Sequence, residues 1–149
     1  MLLKQILQKT AVLAAAARSN RMGVTSSLFS TMEGVTNVDK QGMKEIIDKY
    51  EKGGSGYVVM DVREQSEVAA SGKLSPNTNT LPLSIMGQAL EMDDAGFEKT
   101  CGFAKPKPDD TLVFSCMAGS RSVRACGIAS AAGYPKIVNY TGGARDWFS

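Results

Sequence analysis

The sequence predicts an α/β domain with a mainly parallel central sheet flanked by helices. Three observations predict it. Short apolar runs at 57–60 and 112–114 alternate with segments of helical spacing, and strands interleaved with helices read as βαβ units. The runs are continuously apolar, which marks parallel strands covered on both faces. Turn chemistry separates them at Gly53-Gly54-Ser55-Gly56 and Gly133-Tyr134-Pro135, where glycine and proline break regular structure.

The domain is expected over 33–149, a length suited to one hydrophobic core. Residues 35–38 form a first short strand. Asp39 is the predicted N-cap of a helix over 40–51, where Met43, Ile46, Ile47 and Tyr50 recur at helical spacing and pack inward. A second strand covers 57–60, a short helix 64–70 and a loop 71–80. Short helices follow at 85–90 and 94–101, then a connector over 105–110 carrying Pro106 and Pro108. The strand 111–115 leads into a helix over 122–132. A last strand at 137–139 and a terminal helix at 142–148 complete the pattern. In such a sheet the ligand site lies beyond the carboxyl ends of the strands.

Composition narrows the chemistry. The chain has no histidine, which removes Ser-His and Cys-His catalysis and histidine-ligated zinc. Three widely spaced cysteines do not form a secreted disulfide framework. Four of the 17 basic residues, Lys4, Lys9, Arg18 and Arg21, fall in 1–32, where there is no acid. The remaining 13 bases face 15 acids. A basic nucleic-acid-binding surface is therefore not expected. Residues 1–32, acid-free and then rich in Ser and Thr, have the composition of an organellar presequence. Leu2, Ile6 and Leu13 share one helical face, away from Lys4 and Gln8. A mitochondrial address is expected; a plastid address, and a secretory signal built on the apolar stretch 11–17, are the alternatives. No run reaches the roughly 18 apolar residues of a membrane span.

The chemistry concentrates in 111–122, TLVFSCMAGSRS. A strand delivers Cys116 to a small-residue loop, Met117-Ala118-Gly119-Ser120, closed by Arg121 and Ser122. Only a thiolate is a useful sulfur nucleophile. Successive backbone N–H groups in such a loop make an anion-binding nest, the following helix start adds positive potential, and Arg121 adds a planar cation suited to oxyanions. Cys116 is the candidate catalytic residue, and Met117, Ala118, Gly119, Ser120 and Arg121 the candidate binding loop. Cys126, on a packed helix face, and Cys101, in a loop, are read as inert. Asp61 and Arg63 are read as a buried structural pair, Tyr140 and Trp147 as core, and Gly142-Gly143 as a tight turn. Arg124 fits either a solvated face or a contribution to the mouth of the site.

The segment from Cys116 to Ser122 resembles the active loop of the rhodanese (sulfurtransferase) family: cysteine, two variable residues, glycine, a variable residue, arginine and serine. Asp61-Val62-Arg63-Glu64 resembles the family signature after its second strand, Leu81-Pro82-Leu83 its Ile-Pro-Leu segment, and Gly142-Gly143 with Trp147 its C-terminal close. The stretch 89–116, with Lys105-Pro106-Lys107-Pro108, is most similar to small single-domain thiosulfate:glutathione sulfurtransferases of eukaryotes. One segment departs: Gly72-Lys73-Leu74-Ser75-Pro76-Asn77 stands where the family carries Gly-His-Ile-Pro-Gly-Ala.

The resemblance implies a rhodanese-like fold and transfer of sulfane sulfur through a Cys116 persulfide. The donor would be thiosulfate or a persulfide, the acceptor glutathione, thioredoxin or cyanide, with no metal or organic cofactor. A persulfide carrier without turnover is the alternative. A cysteine-based phosphatase is a weaker one, because its loop places five residues, not four, between cysteine and arginine.

Overall fold

The computed structural model describes residues 34–149, so the expected presequence lies outside the described residues. Five strands form one sheet in the order β1-β5-β4-β2-β3, and every pairing is parallel. The strands are β1 (Val35–Val38), β2 (Tyr57–Asp61), β3 (Asn79–Thr80), β4 (Thr111–Ser115) and β5 (Ile137–Tyr140). The helices are α1 (Lys40–Lys52), α2 (Gln65–Ser71), α3 (Leu83–Glu91), α4 (Asp94–Cys101), α5 (Ser120–Ala131) and α6 (Gly143–Trp147).

The continuous apolar character of β4 is explained by cover on both faces. Leu112 and Phe114 join one core with Met86 and Leu90 of α3, Phe97 of α4, and Ala125, Cys126 and Ala129 of α5. Val113, one residue out of phase, joins a second core with Met43, Ile46 and Ile47 of α1, Val138, Tyr140 and Ala144. α1 starts as predicted, with the Asp39 carboxylate accepting the Gly42 N–H at 2.9 Å. Tyr140 is fully buried and Trp147 packs edge-on against it, with ring centroids 6.2 Å apart.

Several boundaries differ from the sequence expectation, and two matter. The expected loop over 71–80 ends in β3, a two-residue strand in which Asn79 and Thr80 pair with Met60 and Asp61. Helix α5 starts at Ser120, not at residue 122, because Gly119 takes the N-cap position in a left-handed conformation with φ 97°. Arg121 and Ser122 therefore belong to the first helical turn. The helix expected over 94–101 is α4, so Cys101, also read as a loop residue, is its last residue.

Candidate active site

The site sits where β4 ends. Asp61 and Ser115 are register partners, and the Val62 N–H donates to the Ser115 carbonyl at 2.8 Å. The ends of β2 and β4 are thus locked together. Cys116, the next residue, is fully buried. Its Sγ accepts the Gly119 N–H at 3.0 Å and lies 3.6 Å from Ser122 Oγ. The Ser122 hydroxyl donates to the Gly119 carbonyl at 3.1 Å, and Ser122 is itself fully buried.

No side chain caps α5, so its first N–H groups are free to face an anion. The sulfur occupies that position. Burial pushes the Cys116 thiol up, but the Ser122 hydroxyl and the N–H groups of Ser122, Gly119 and Ala118 outweigh it. The net result is a thiol held below its ordinary range. The other two thiols go the opposite way. Burial pushes Cys126 up to about 12 and also raises Cys101, which suits the inert reading of both.

Gly142-Gly143 does more than turn the chain. From the start of α6, the Ala144 N–H donates to the Cys116 carbonyl at 2.8 Å and the Arg145 N–H to the Met117 carbonyl at 3.0 Å. These bonds hold successive carbonyls away from the sulfur, which directs the following N–H groups toward it. The approach requires Gly143, which has φ 66° and would place a Cβ 2.5 Å from the Cys116 carbonyl oxygen. Gly119 is constrained similarly, since its Cβ would lie 2.5 Å from the Thr141 carbonyl oxygen. Gly143→Ala is therefore expected to lower stability by at least about 1–2 kcal/mol, the cost of a left-handed non-glycine residue. It should also raise the Cys116 thiol toward its ordinary range. A urea midpoint and a thiol titration check both effects.

Arg121 does not point its fork into open space. Its Nη1 and Nη2 donate to Glu67 Oε2 and Oε1 at 2.7 and 2.8 Å. Sequence reasoning misses Glu67, because 54 positions separate it from Arg121. The one local signal is a capping box, in which Glu67 Oε2 also accepts the Glu64 N–H at 2.9 Å. Arg124 is exposed on α5. A polar hollow of about 340 Å³ near Gln65, Lys73, Thr80 and Phe103 contains no residue of the 116–121 loop.

Asp61 and Arg63 form the buried pair expected of them. Arg63 Nη2 lies 2.6 Å from Asp61 Oδ2, with both side chains essentially inaccessible. Arg63 Nη1 donates to Ser71 Oγ at 2.7 Å and Nη2 to the Gly72 carbonyl at 3.0 Å. The pair braces the chain between β2 and α2 and makes no contact with the sulfur.

The described residues thus define an α/β protein whose parallel sheet ends in a cysteine held by a ring of backbone donors. The chain belongs to the rhodanese family, since the Rhodanese-like domain family model matches residues 42–149. Thiosulfate sulfurtransferase/rhodanese-like domain-containing protein 3 of Mus musculus is 33% identical over 123 residues, 83% of this chain and 73% of that protein. Human thiosulfate:glutathione sulfurtransferase is 38% identical over 90 residues, 60% of this chain and 76% of that protein. Thiosulfate sulfurtransferase RDL2, mitochondrial, of Saccharomyces cerevisiae is 33% identical over 92 residues, 62% of this chain and 60% of that protein. The crystal structure of yeast RDL2, a single-domain sulfurtransferase, superposes with a TM-score of 0.69 at 28% identity, covering 79% of this chain and 92% of that one. By class the chain is a rhodanese-type sulfurtransferase.

Proposed function

We propose that this sulfurtransferase moves the outer sulfur of thiosulfate to a thiol such as glutathione through a persulfide on Cys116. The observation that carries the reading is the Cys116 sulfur itself, buried at the end of β4 and facing N–H donors of the loop and of α5. In the first half-reaction the thiolate attacks the outer sulfur of thiosulfate. A Cys116 S–S bond forms, the bond to the sulfonate sulfur breaks, and its electron pair leaves on sulfite. In the second, the acceptor thiolate attacks the outer persulfide sulfur and Cys116 departs as thiolate. Both steps bring anions together, so the N–H groups of 117–121 supply the stabilisation. The Ser122 hydroxyl, close enough to turn from Gly119 toward the sulfur, adds a further donor.

The names of the human and yeast relatives support thiosulfate as donor, and the human one supports glutathione as acceptor. The mitochondrial name of the yeast relative, with the acid-free composition of 1–32, supports a mitochondrial address, with 1–32 as presequence and 33–149 as the enzyme domain. Among the described residues no helix is long and apolar enough to cross a membrane. A phosphatase is not favoured: the four-residue span between Cys116 and Arg121 gives a nest sized for a sulfur atom.

Initial rates of sulfite release at varied thiosulfate and glutathione test the proposal. Two half-reactions predict parallel double-reciprocal lines. Loading by thiosulfate without turnover by small thiols would instead identify a carrier. The pH profile provides a second check. Because the folded thiol titrates below its ordinary range, the loading rate should rise with pH and reach half its plateau at a lower pH than an unperturbed thiol does. A half-rise at or above the ordinary thiol range contradicts the site as described.

A further inference from the structure

We propose that Glu67 is a positioning residue for sulfur transfer, whose bidentate bond to Arg121 holds the first turn of α5 so that its N–H groups face Cys116 Sγ. The inference rests on the reading of Cys116 as the sulfur carrier and goes beyond it in assigning Arg121 and Glu67 as one brace.

The geometry is specific. The planar guanidinium meets the carboxylate fork to fork, the arrangement that fixes orientation as well as energy. Arg121 lies between Ser120, the first residue of α5, and Ser122, whose hydroxyl and N–H face the sulfur. On the other side Glu67 is not loose. Its Oε2 also takes the Glu64 N–H, and its backbone carbonyl accepts the Ser71 hydroxyl at 3.2 Å. Ser71 is in turn held by Arg63 of the buried pair. A continuous chain of bonds thus runs from Asp61 at the end of β2, through Arg63, Ser71 and Glu67, to Arg121. It holds the end of the loop at Arg121, while α6 grips the carbonyls of Cys116 and Met117 at its start. With one N–H of Nη1 and one of Nη2 engaged by Glu67, Arg121 is tied to α2 and shapes the loop.

Charge alone gives the opposite expectation, and this makes the proposal decidable. The groups facing the pair are Arg63, Asp61 and the Cys116 thiolate. Arg121 holds Glu67 at about 2, so the carboxylate stays ionised wherever the thiol titrates. If Glu67 merely neutralised Arg121, removing its charge would strengthen the field of Arg121 and lower the thiol further. If Glu67 positions the turn, removing it loosens the N–H donors and the thiol rises.

The test is the midpoint of the Cys116 thiolate ultraviolet absorbance, taken against the matching Cys116→Ser protein, in Glu67→Gln and Arg121→Lys. Both variants should show midpoints raised by about one pH unit, the loss of one charge-assisted hydrogen bond. Thiosulfate loading at a pH below the parent's own midpoint should slow about tenfold with the thiolate fraction, with KM for thiosulfate little changed. The double variant should be no worse than the worse single one, because both cut the same link. An unchanged or lowered midpoint in either folded variant overturns the proposal. So does loss of fold in both, which would make the pair a structural support of the whole domain. The titration needs no sulfur donor. A parent protein that titrates as described but takes no sulfur from thiosulfate would sink the functional reading and leave the bracing role of Glu67 to be decided by the midpoints alone.

Discussion

Cys116→Ser is expected to give a folded protein that transfers no sulfur, with kcat/KM lowered by at least on the order of a thousandfold. The loop around Cys116 can tip a thiol toward ionisation at neutral pH because a thiol starts near 8.5. A serine hydroxyl starts far higher, and the same N–H groups cannot bring it into range. Nor can serine hold a sulfane sulfur as a persulfide. The substitution is nearly isosteric, so thermal stability should stay within about 1 kcal/mol of the parent. Cys101→Ser is the control. Cys101 is half-buried at the end of α4 and its thiol is raised by burial, so turnover should survive its loss. Sulfite release measured on both variants, with the melting transition alongside, checks the pair. Persisting turnover in folded Cys116→Ser would remove Cys116 from the reaction.

Arg63→Met is expected to have the largest effect on stability, about 3–5 kcal/mol, because it leaves the Asp61 carboxylate buried without its partner. Against a total of roughly 5–15 kcal/mol for a domain, that loss removes a large share of the stability. The double variant Asp61→Asn/Arg63→Met should recover part of it, since no unpaired charge then remains. Urea unfolding of the single and double variants measures both. The damage should reach the active loop as well, because the Val62 N–H is bonded to Ser115, immediately before Cys116. A single variant as stable as the parent would contradict a stabilising role for the pair.

Much of this is legible in the residues. The run Leu112–Phe114 and the residues Cys116, Gly119 and Arg121 carry their signals locally: an apolar strand, a nucleophile, a left-handed turn and a cation. The parallel sheet follows from the absence of alternation. What escapes is tertiary. Asn79 and Thr80 are polar and only two, so β3 exists because β2 offers a free edge. The early start of α5 depends on Gly119 entering a left-handed conformation beneath Thr141, which no helical periodicity records. Gly142-Gly143 reads correctly as a turn, but its grip on the carbonyls of Cys116 and Met117 needs the folded loop beside it. The engagement of Arg121 by Glu67 is of the same kind: in the sequence the guanidinium looks available for substrate, and only α2 brings the carboxylate to it.

A persulfide on Cys116 underlies the whole reaction, and the direct measurement is the intact mass of the protein after thiosulfate, with the modified residue located by peptide mapping. A gain of one sulfur atom on Cys116 is expected, absent in Cys116→Ser and removed by glutathione. No gain from thiosulfate, or a sulfur found on Cys101 or Cys126, would contradict it.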